Sequence, residues 1–258
     1  MVDGNAAVRT RIGLIIPSSN QLTEPQFHRY APPGVQVHVT RLRMTGPHHV
    51  PLLELLPRVA EAAQMLDDAG CDVIVFHCTA SSTSAGLAAE ARVVETIEEA
   101  TGRRAATTAS TLLAALRALG ARRLVLVTPY PPEANAHERE FFAEAGLEVV
   151  RDRALDLPRS EGGYAAAPAS LWLEVTQAEA DPRADAYLLS CTTIQSIDIV
   201  EELEARLARP VVTSNQATLW YCLRACGRED IVPGLGRLFA CALPVDSAAA
   251  APRPSPVA

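Results

Sequence analysis

Val75-Phe76-His77-Cys78-Thr79 and Leu188-Leu189-Ser190-Cys191-Thr192 lie far apart in the chain and read alike: an apolar, β-prone run that ends in Cys-Thr. The likeness continues in register downstream. Val93-Val94-Glu95-Thr96-Ile97-Glu98 resembles Ile199-Val200-Glu201-Glu202-Leu203-Glu204, Ala105-Ala106-Thr107-Thr108 resembles Val211-Val212-Thr213-Ser214, and Leu116-Arg117-Ala118-Leu119-Gly120 resembles Leu223-Arg224-Ala225-Cys226-Gly227. Both halves therefore run strand, Cys-Thr, helix, short hydroxyl-rich strand, helix, glycine. Four matches in one order point to two related lobes.

Working outward, short β-branched runs alternate with amphipathic stretches. Strands are expected at Ile12–Pro17, Val35–Arg41, Asp72–His77, Arg104–Thr108, Arg123–Thr128, Glu148–Arg153, Ala186–Ser190 and Val211–Ser214. Helical periodicity covers Leu52–Ala69, Ala85–Ala100, Thr111–Leu119, Asn135–Ala145 and Ser196–Leu207, most of them followed by a glycine placed to cap the helix. Strands that alternate with helices of this length form parallel sheets through right-handed crossovers. Continuous apolar runs such as Val73-Ile74-Val75-Phe76 suit strands covered on both faces. The expected fold is α/β: two pseudo-symmetric four-stranded parallel-sheet lobes of flavodoxin-like type, 11–118 and 119–228, with the active site in the cleft between them. A segment over 229–246 is expected to pack back on the first lobe, with 1–10 and the Ala/Pro-rich 247–258 disordered.

Composition narrows the function. The 258 residues are 48% hydrophobic but only 5% aromatic, which suits an aliphatic core of α/β type. A net charge of −7, with scattered arginines, speaks against nucleic acid. No apolar run approaches the roughly 20 residues that span a bilayer, and the start has no signal-peptide pattern, so no membrane partner and a cytoplasmic location are expected. In a reducing compartment the six cysteines need not pair.

Ligands of open parallel sheets bind beyond the carboxyl ends of the strands. There the sequence places Pro17-Ser18-Ser19-Asn20, Cys78-Thr79-Ala80-Ser81-Ser82, Thr128-Pro129-Tyr130, Cys191-Thr192-Thr193 and Ser214-Asn215. A pseudo-twofold arrangement sets Cys78 and Cys191 facing each other across the cleft. A cysteine at a strand end, before a helix, lies near unpaired backbone N–H groups and in a positive field, which lowers its pKa. The same N–H groups, with the hydroxyls of Thr79, Ser81, Ser82, Thr192 and Thr193, suit a carboxylate. A small mono- or dicarboxylate is the expected ligand, and no metal or cofactor is required. The oligomer expected by default is a homodimer.

These motifs resemble those of the aspartate/glutamate racemase superfamily, and within it the branch of maleate cis–trans isomerases and arylmalonate decarboxylases. Cys78-Thr79 and Cys191-Thr192 resemble the superfamily's paired cysteine motifs; Pro17-Ser18-Ser19-Asn20 with Glu24, and Thr128-Pro129-Tyr130, resemble signatures of the branch. The resemblance spans about 11–240. It implies that Cys78 adds to the alkene of maleate, that the adduct rotates about a single bond, and that Cys191 moves a proton before fumarate leaves. It also implies that Asn20 binds a carboxylate and that Tyr130 hydrogen-bonds near the reacting carbon, with Ser18, Thr79, Ser81, Thr192 and Thr193 completing the binding set. One departure stands out. The isomerases carry a further asparagine about thirty residues beyond the tyrosine, where this chain reads Pro158-Arg159-Ser160-Glu161-Gly162-Gly163-Tyr164; Ser160 or Arg159 are the candidates to replace it.

Plainer readings apply elsewhere. Cys71, Cys222, Cys226 and Cys241 read as small buried hydrophobes, Asn215 as a capping residue, His48-His49 as a solvated loop, and His77 as structural or as a neighbour tuning Cys78. Three other activities fit two lobes with a cleft: two-base amino-acid or hydantoin racemisation, arylmalonate-type decarboxylation, whose branch lacks the first-lobe cysteine, and ligand binding without chemistry.

Overall fold

The computed structural model describes residues 10–44, 50–158 and 162–245. Expected features at 1–9, His48-His49, Arg159, Ser160 and 246–258 lie outside the described residues. The first lobe runs β1 (Thr10–Pro17), α1 (Thr23–Tyr30), β2 (Val35–Leu42), α2 (Leu56–Asp68), β3 (Val73–Phe76), α3 (Thr79–Thr83), α4 (Gly86–Thr101), β4 (Arg104–Thr107) and α5 (Thr108–Ala118). The second runs β5 (Arg123–Thr128), α6 (Pro132–Glu144), β6 (Glu148–Ala154), α7 (Ala169–Ala178), β7 (Ala186–Leu189), α8 (Val200–Leu207), β8 (Val211–Thr213) and α9 (Ser214–Ala225). The sheets have orders β2-β1-β3-β4 and β6-β5-β7-β8, and every ladder is parallel. The same order in both lobes is the pseudo-symmetry read from the repeated motifs.

All eight expected strands are present, with ends that differ by at most two residues. Thr10, assigned from the sequence to a disordered start, belongs to β1. The sequence reading assigned no helix at α1, α3 or α7. The cause is legible in α1: only Thr23, Gln26 and Phe27 are buried, so its core-facing stripe is mostly polar and carries little hydrophobic period.

Strand side chains alternate between faces, and the alternation builds one core across both lobes. Ile12, Leu14, Val73 and Val75 of the first sheet join Leu124, Leu126, Leu188 and Val212 of the second in a single cluster with α5 and α9. The opposite faces build separate clusters: Ile15, Ile74 and Phe76 pack under α2 and α4, while Val125, Val127 and Leu189 pack under α7 and α8. Each such aliphatic side chain contributes about 1.5–3 kcal/mol when fully buried. Gly13 allows the closest approach of α2 to β1, since a Cβ there would meet Cys71 Sγ at 3.1 Å and Leu66 at 3.2 Å.

The helices between the lobes start from matching caps. Thr107 accepts the Ser110 amide and Thr213 accepts the Gln216 amide, each within a complete capping box. Inside the interface the Thr111 and Thr218 hydroxyls meet at 3.0 Å. The stretch beyond α9 is held chiefly by the second lobe. Gln216 Nε2 donates to Leu235 O, Trp220 Nε1 donates to Cys241 O, and Arg224 donates to the carbonyls of Asp230, Phe239 and Cys241. It touches the first lobe where Arg228 donates to Pro33 O. Thr213→Ala removes the cap of α9 and is expected to cost about 1 kcal/mol, read as a lower midpoint in urea unfolding with an unchanged slope.

Candidate active site

The carboxyl ends of both sheets face one cavity of about 190 Å³, smaller than the ~300–1,000 Å³ of sites for drug-sized ligands. Cys78 and Cys191 both line it. So do Pro17, Ser19 and Gln21 after β1, Thr79 and Ala80 after β3, Tyr130 after β5, and Thr192 and Thr193 after β7. The remaining wall is Gly162, Gly163 and Tyr164, where the sequence departs from the isomerase pattern. Both glycines have positive φ, 95° and 61°, so this turn of backbone requires residues without a Cβ. Tyr164 meets the Tyr130 ring edge-on, with centroids 5.7 Å apart. Nothing in the sequence reading singled out Tyr164 or Gln21.

Each sulfur is held by donors from its own loop. The Thr193 amide donates to Cys191 Sγ at 3.3 Å, and the nearby Tyr130 hydroxyl favours a thiolate there. Cys78 Sγ lies 3.2 Å from Ser81 Oγ. These contacts favour thiolates, yet burial outweighs them: it pushes the Cys78 thiol up and Cys191 up to about 12. The lowered thiol pKa expected from the helix field is therefore corrected. Both thiols rest protonated, because the sulfurs are nearly sealed from water while α3 is a helix of only five residues.

Three residues expected to bind substrate are absent from the cavity wall: Ser81 is turned to Cys78 Sγ, and Ser18 and Asn20 have other partners. Ser18 is exposed, outside the cavity wall, and exchanges hydrogen bonds with the Met44 backbone; Ser19 takes the place at the wall. Asn20 accepts the Leu22 and Thr23 amides at 3.1 and 2.9 Å and donates to Thr192 Oγ1 at 3.1 Å, so its amide is spent on the α1 turn and the second lobe. Glu24 pairs with Arg41, which also donates to the Ser18 and Asn20 carbonyls and clamps this loop.

Asn215 is not a cap: that role falls to Thr213. Asn215 instead forms the central node between the lobes. Its Nδ2 donates to Thr192 O at 3.2 Å and to Gln26 Oε1, so its Oδ1 faces His77 Nε2 at 2.8 Å. The node fixes the tautomer: Nε2 carries the proton and Nδ1 accepts from the Thr108 hydroxyl at 3.1 Å. Cys78 thus follows a histidine, and Cys191 precedes a threonine, that are bound to the same buried amide. Glu138, on α6 where that helix packs against α3, is fully buried and was also missed from sequence.

Set beside known proteins, the geometry has a clear counterpart. A family model described as arylmalonate decarboxylase matches residues 12–239. The chain belongs to the arylmalonate decarboxylase family. It is 35% identical over 187 residues to an arylmalonate decarboxylase of Bordetella bronchiseptica, covering 72% of this chain and 78% of that one. It is also 30% identical over 241 residues to a maleate isomerase of Pseudomonas putida, covering 89% of this chain and 96% of the relative. Among solved structures, a cysteine-to-serine variant of the Nocardia farcinica maleate cis-trans isomerase, bearing a covalently bound succinylcysteine intermediate, superposes with a TM-score of 0.80 at 25% identity over 90% of this chain and 98% of that one. Among the described residues, no helix is long and apolar enough to cross a membrane, and no cluster of metal-binding side chains is present.

The His77 node makes stability depend on pH. Burial lowers the His77 pKa from 6.5 to about 4, so the folded protein resists a proton that the unfolded chain accepts. Stability is then lost as pH falls from about 6.5 to about 4, by about 3 kcal/mol from this group. Urea unfolding at pH 7, 5.5 and 4 should show that loss, and His77→Gln should flatten it.

Proposed function

We propose that the protein is a two-cysteine isomerase of small dicarboxylates, converting maleate to fumarate, and that Cys78 and Cys191 carry the chemistry without a bound cofactor. The observation that carries this reading is the placement of both sulfurs, one from each lobe, on the wall of one small cavity. The covalent succinylcysteine of the Nocardia relative supports addition through sulfur.

The steps balance as follows. Cys78 gives its proton to solvent water as the diacid enters, a loss that the Ser81 hydroxyl beside the sulfur favours. Its sulfur then forms a bond to one alkene carbon, and the π pair moves to the other carbon, where the adjoining carboxylate delocalises it. The Cys191 thiol gives its proton to that carbon and leaves a thiolate, held by the Thr193 amide and the Tyr130 hydroxyl. The central C–C bond is now single and rotates. Cys191 takes back the proton, the pair re-forms the alkene, the C–S bond breaks with its electrons going to Cys78, fumarate departs, and the Cys78 thiolate regains a proton from water. A covalent adduct divides one difficult step into two easier ones.

Two thiols on one pocket would also serve a two-base racemase, which forms no adduct. A decarboxylase of the arylmalonate branch is disfavoured by Cys78, since the resemblance gives that branch only the second-lobe cysteine. A small acid, a homodimer and a cytoplasmic setting remain part of the proposal; the cavity's size and the hydroxyls and amides on its wall support the acid.

Incubation with maleate, citraconate and related diacids, followed by chromatography and intact-mass analysis, tests this. Wild type is expected to convert one of them. Cys78→Ser and Cys191→Ser are each expected to lose at least ~100-fold, with the adduct trapped on Cys78 in Cys191→Ser. Near-wild-type turnover in either variant contradicts the paired-thiol mechanism.

A further inference from the structure

Glu138 is fully buried on α6, and neither carboxyl oxygen has a hydrogen-bond partner. Its neighbour Ser190, also fully buried, likewise leaves its hydroxyl without a well-formed bond. Buried carboxyls are normally paired or neutralised, and an orphan costs stability, so the placement calls for an account. Ser190 directly precedes Cys191. The helix of Glu138, α6, packs against α3, which begins directly after Cys78, and a carboxylate on Glu138 opposes ionisation of Cys78, Cys191 and Tyr130. These are the three titratable side chains on the cavity wall other than Tyr164.

We propose that Glu138 is a positioning residue of the cysteine pocket, acting through Cys78 and Cys191: its protonated form lets negative charge develop on the sulfurs and a bound acid, and its carboxylate opposes that charge. This rests on the isomerase reading above, because it supposes an anionic acid between the two thiols.

The surroundings of α6 leave the role to this one group. Asp152, on β6, accepts from Asn135 Nδ2 at 2.6 Å and pairs with Arg139 near the surface. Glu144 accepts the Leu87 amide of α4, and Glu90 on α4 is bound to Thr107. α3 presents no titratable residue beyond Cys78 at its start, and His137, beside Glu138 on α6, is half-exposed. Among the described residues, no Arg or His forms an ion pair with Glu138. Burial raises its pKa to about 8 while the Ser190 hydroxyl holds it down, so the carboxyl is neutral at pH 7 and charged above about 8. A dianionic substrate and a thiolate then meet a third negative charge in a site shielded from water.

The rate of iodoacetamide labelling of Cys78 and Cys191, followed by mass mapping between pH 6 and 10, reads the thiolate fraction without substrate. At pH 9–10, where wild-type Glu138 is charged, labelling of Glu138→Gln is expected to be about tenfold faster than that of wild type. With maleate, kcat/KM of wild type is expected to fall above about pH 8; Glu138→Gln loses that limb. Ser190→Ala, which keeps the carboxyl and removes its neighbour, is expected to move the limb to higher pH. Circular dichroism confirms folding; if Glu138→Gln does not fold, an unmoved limb in Ser190→Ala overturns the assignment. So do an unchanged labelling rate and limb in a folded Glu138→Gln. A labelling shift with no turnover of any diacid sustains the role of Glu138 and refutes the isomerase reading instead.

Discussion

Two lobes can hold one small acid between two sulfurs only if their relative position is fixed to about 0.5 Å, and the buried Asn215 amide supplies that constraint. From the second lobe it takes the Thr192 carbonyl, next to Cys191; from the first it takes Gln26 and His77, next to Cys78. Asn20 and Thr23 bind the same Thr192 carbonyl from the opposite side. Five polar side chains thus converge where the chain could otherwise slide. The apolar interface of α5 and α9 provides the bulk of the attraction, but hydrophobic burial is non-directional. Hydrogen bonds in a dry interior set the register, because leaving any one unmade costs about 1–3 kcal/mol.

The same dryness governs the chemistry. Burial holds the thiols, Tyr130 and Glu138 in their neutral forms, so the empty pocket carries almost no charge at neutral pH. An incoming dicarboxylate brings the charge with it. Backbone amides and hydroxyls, whose dipoles are fixed by the fold, then receive it without the reorganisation that water would require. A lowered resting thiol pKa is not needed for such a site. What it needs is that developing charge meets donors already in place, such as the Thr193 amide and the Ser81 hydroxyl.

The sequence made the strands, the two lobes and both cysteines legible because all three rest on local pattern: apolar runs, glycine stops, and a motif that occurs twice. Tyr130, Thr79, Thr192 and Thr193 followed, since strand ends define the functional edge of a parallel sheet. What escaped rests on distance in the chain. Ser18 and Asn20 stand in the expected turn, but the direction of their side chains is decided by Met44 and Thr192, far along the chain. Asn215 looked like a cap because it sits in the first turn of a helix; its partners come from the other lobe. Glu138 was hidden within an ordinary amphipathic helix, where a single glutamate reads as solvent-facing. The thiol pKa was misjudged because helix position is visible in a sequence and burial depth is not.

The central claim is that one ligand touches both sulfurs. A crystal structure of Cys191→Ser soaked with maleate tests it most directly. The account predicts a succinyl thioether on Cys78, its second carbon facing the residue-191 side chain, within the cavity bounded by Tyr130, Thr192 and Gly163. Diacid bound away from residue 191, or attached to any other cysteine, would contradict it.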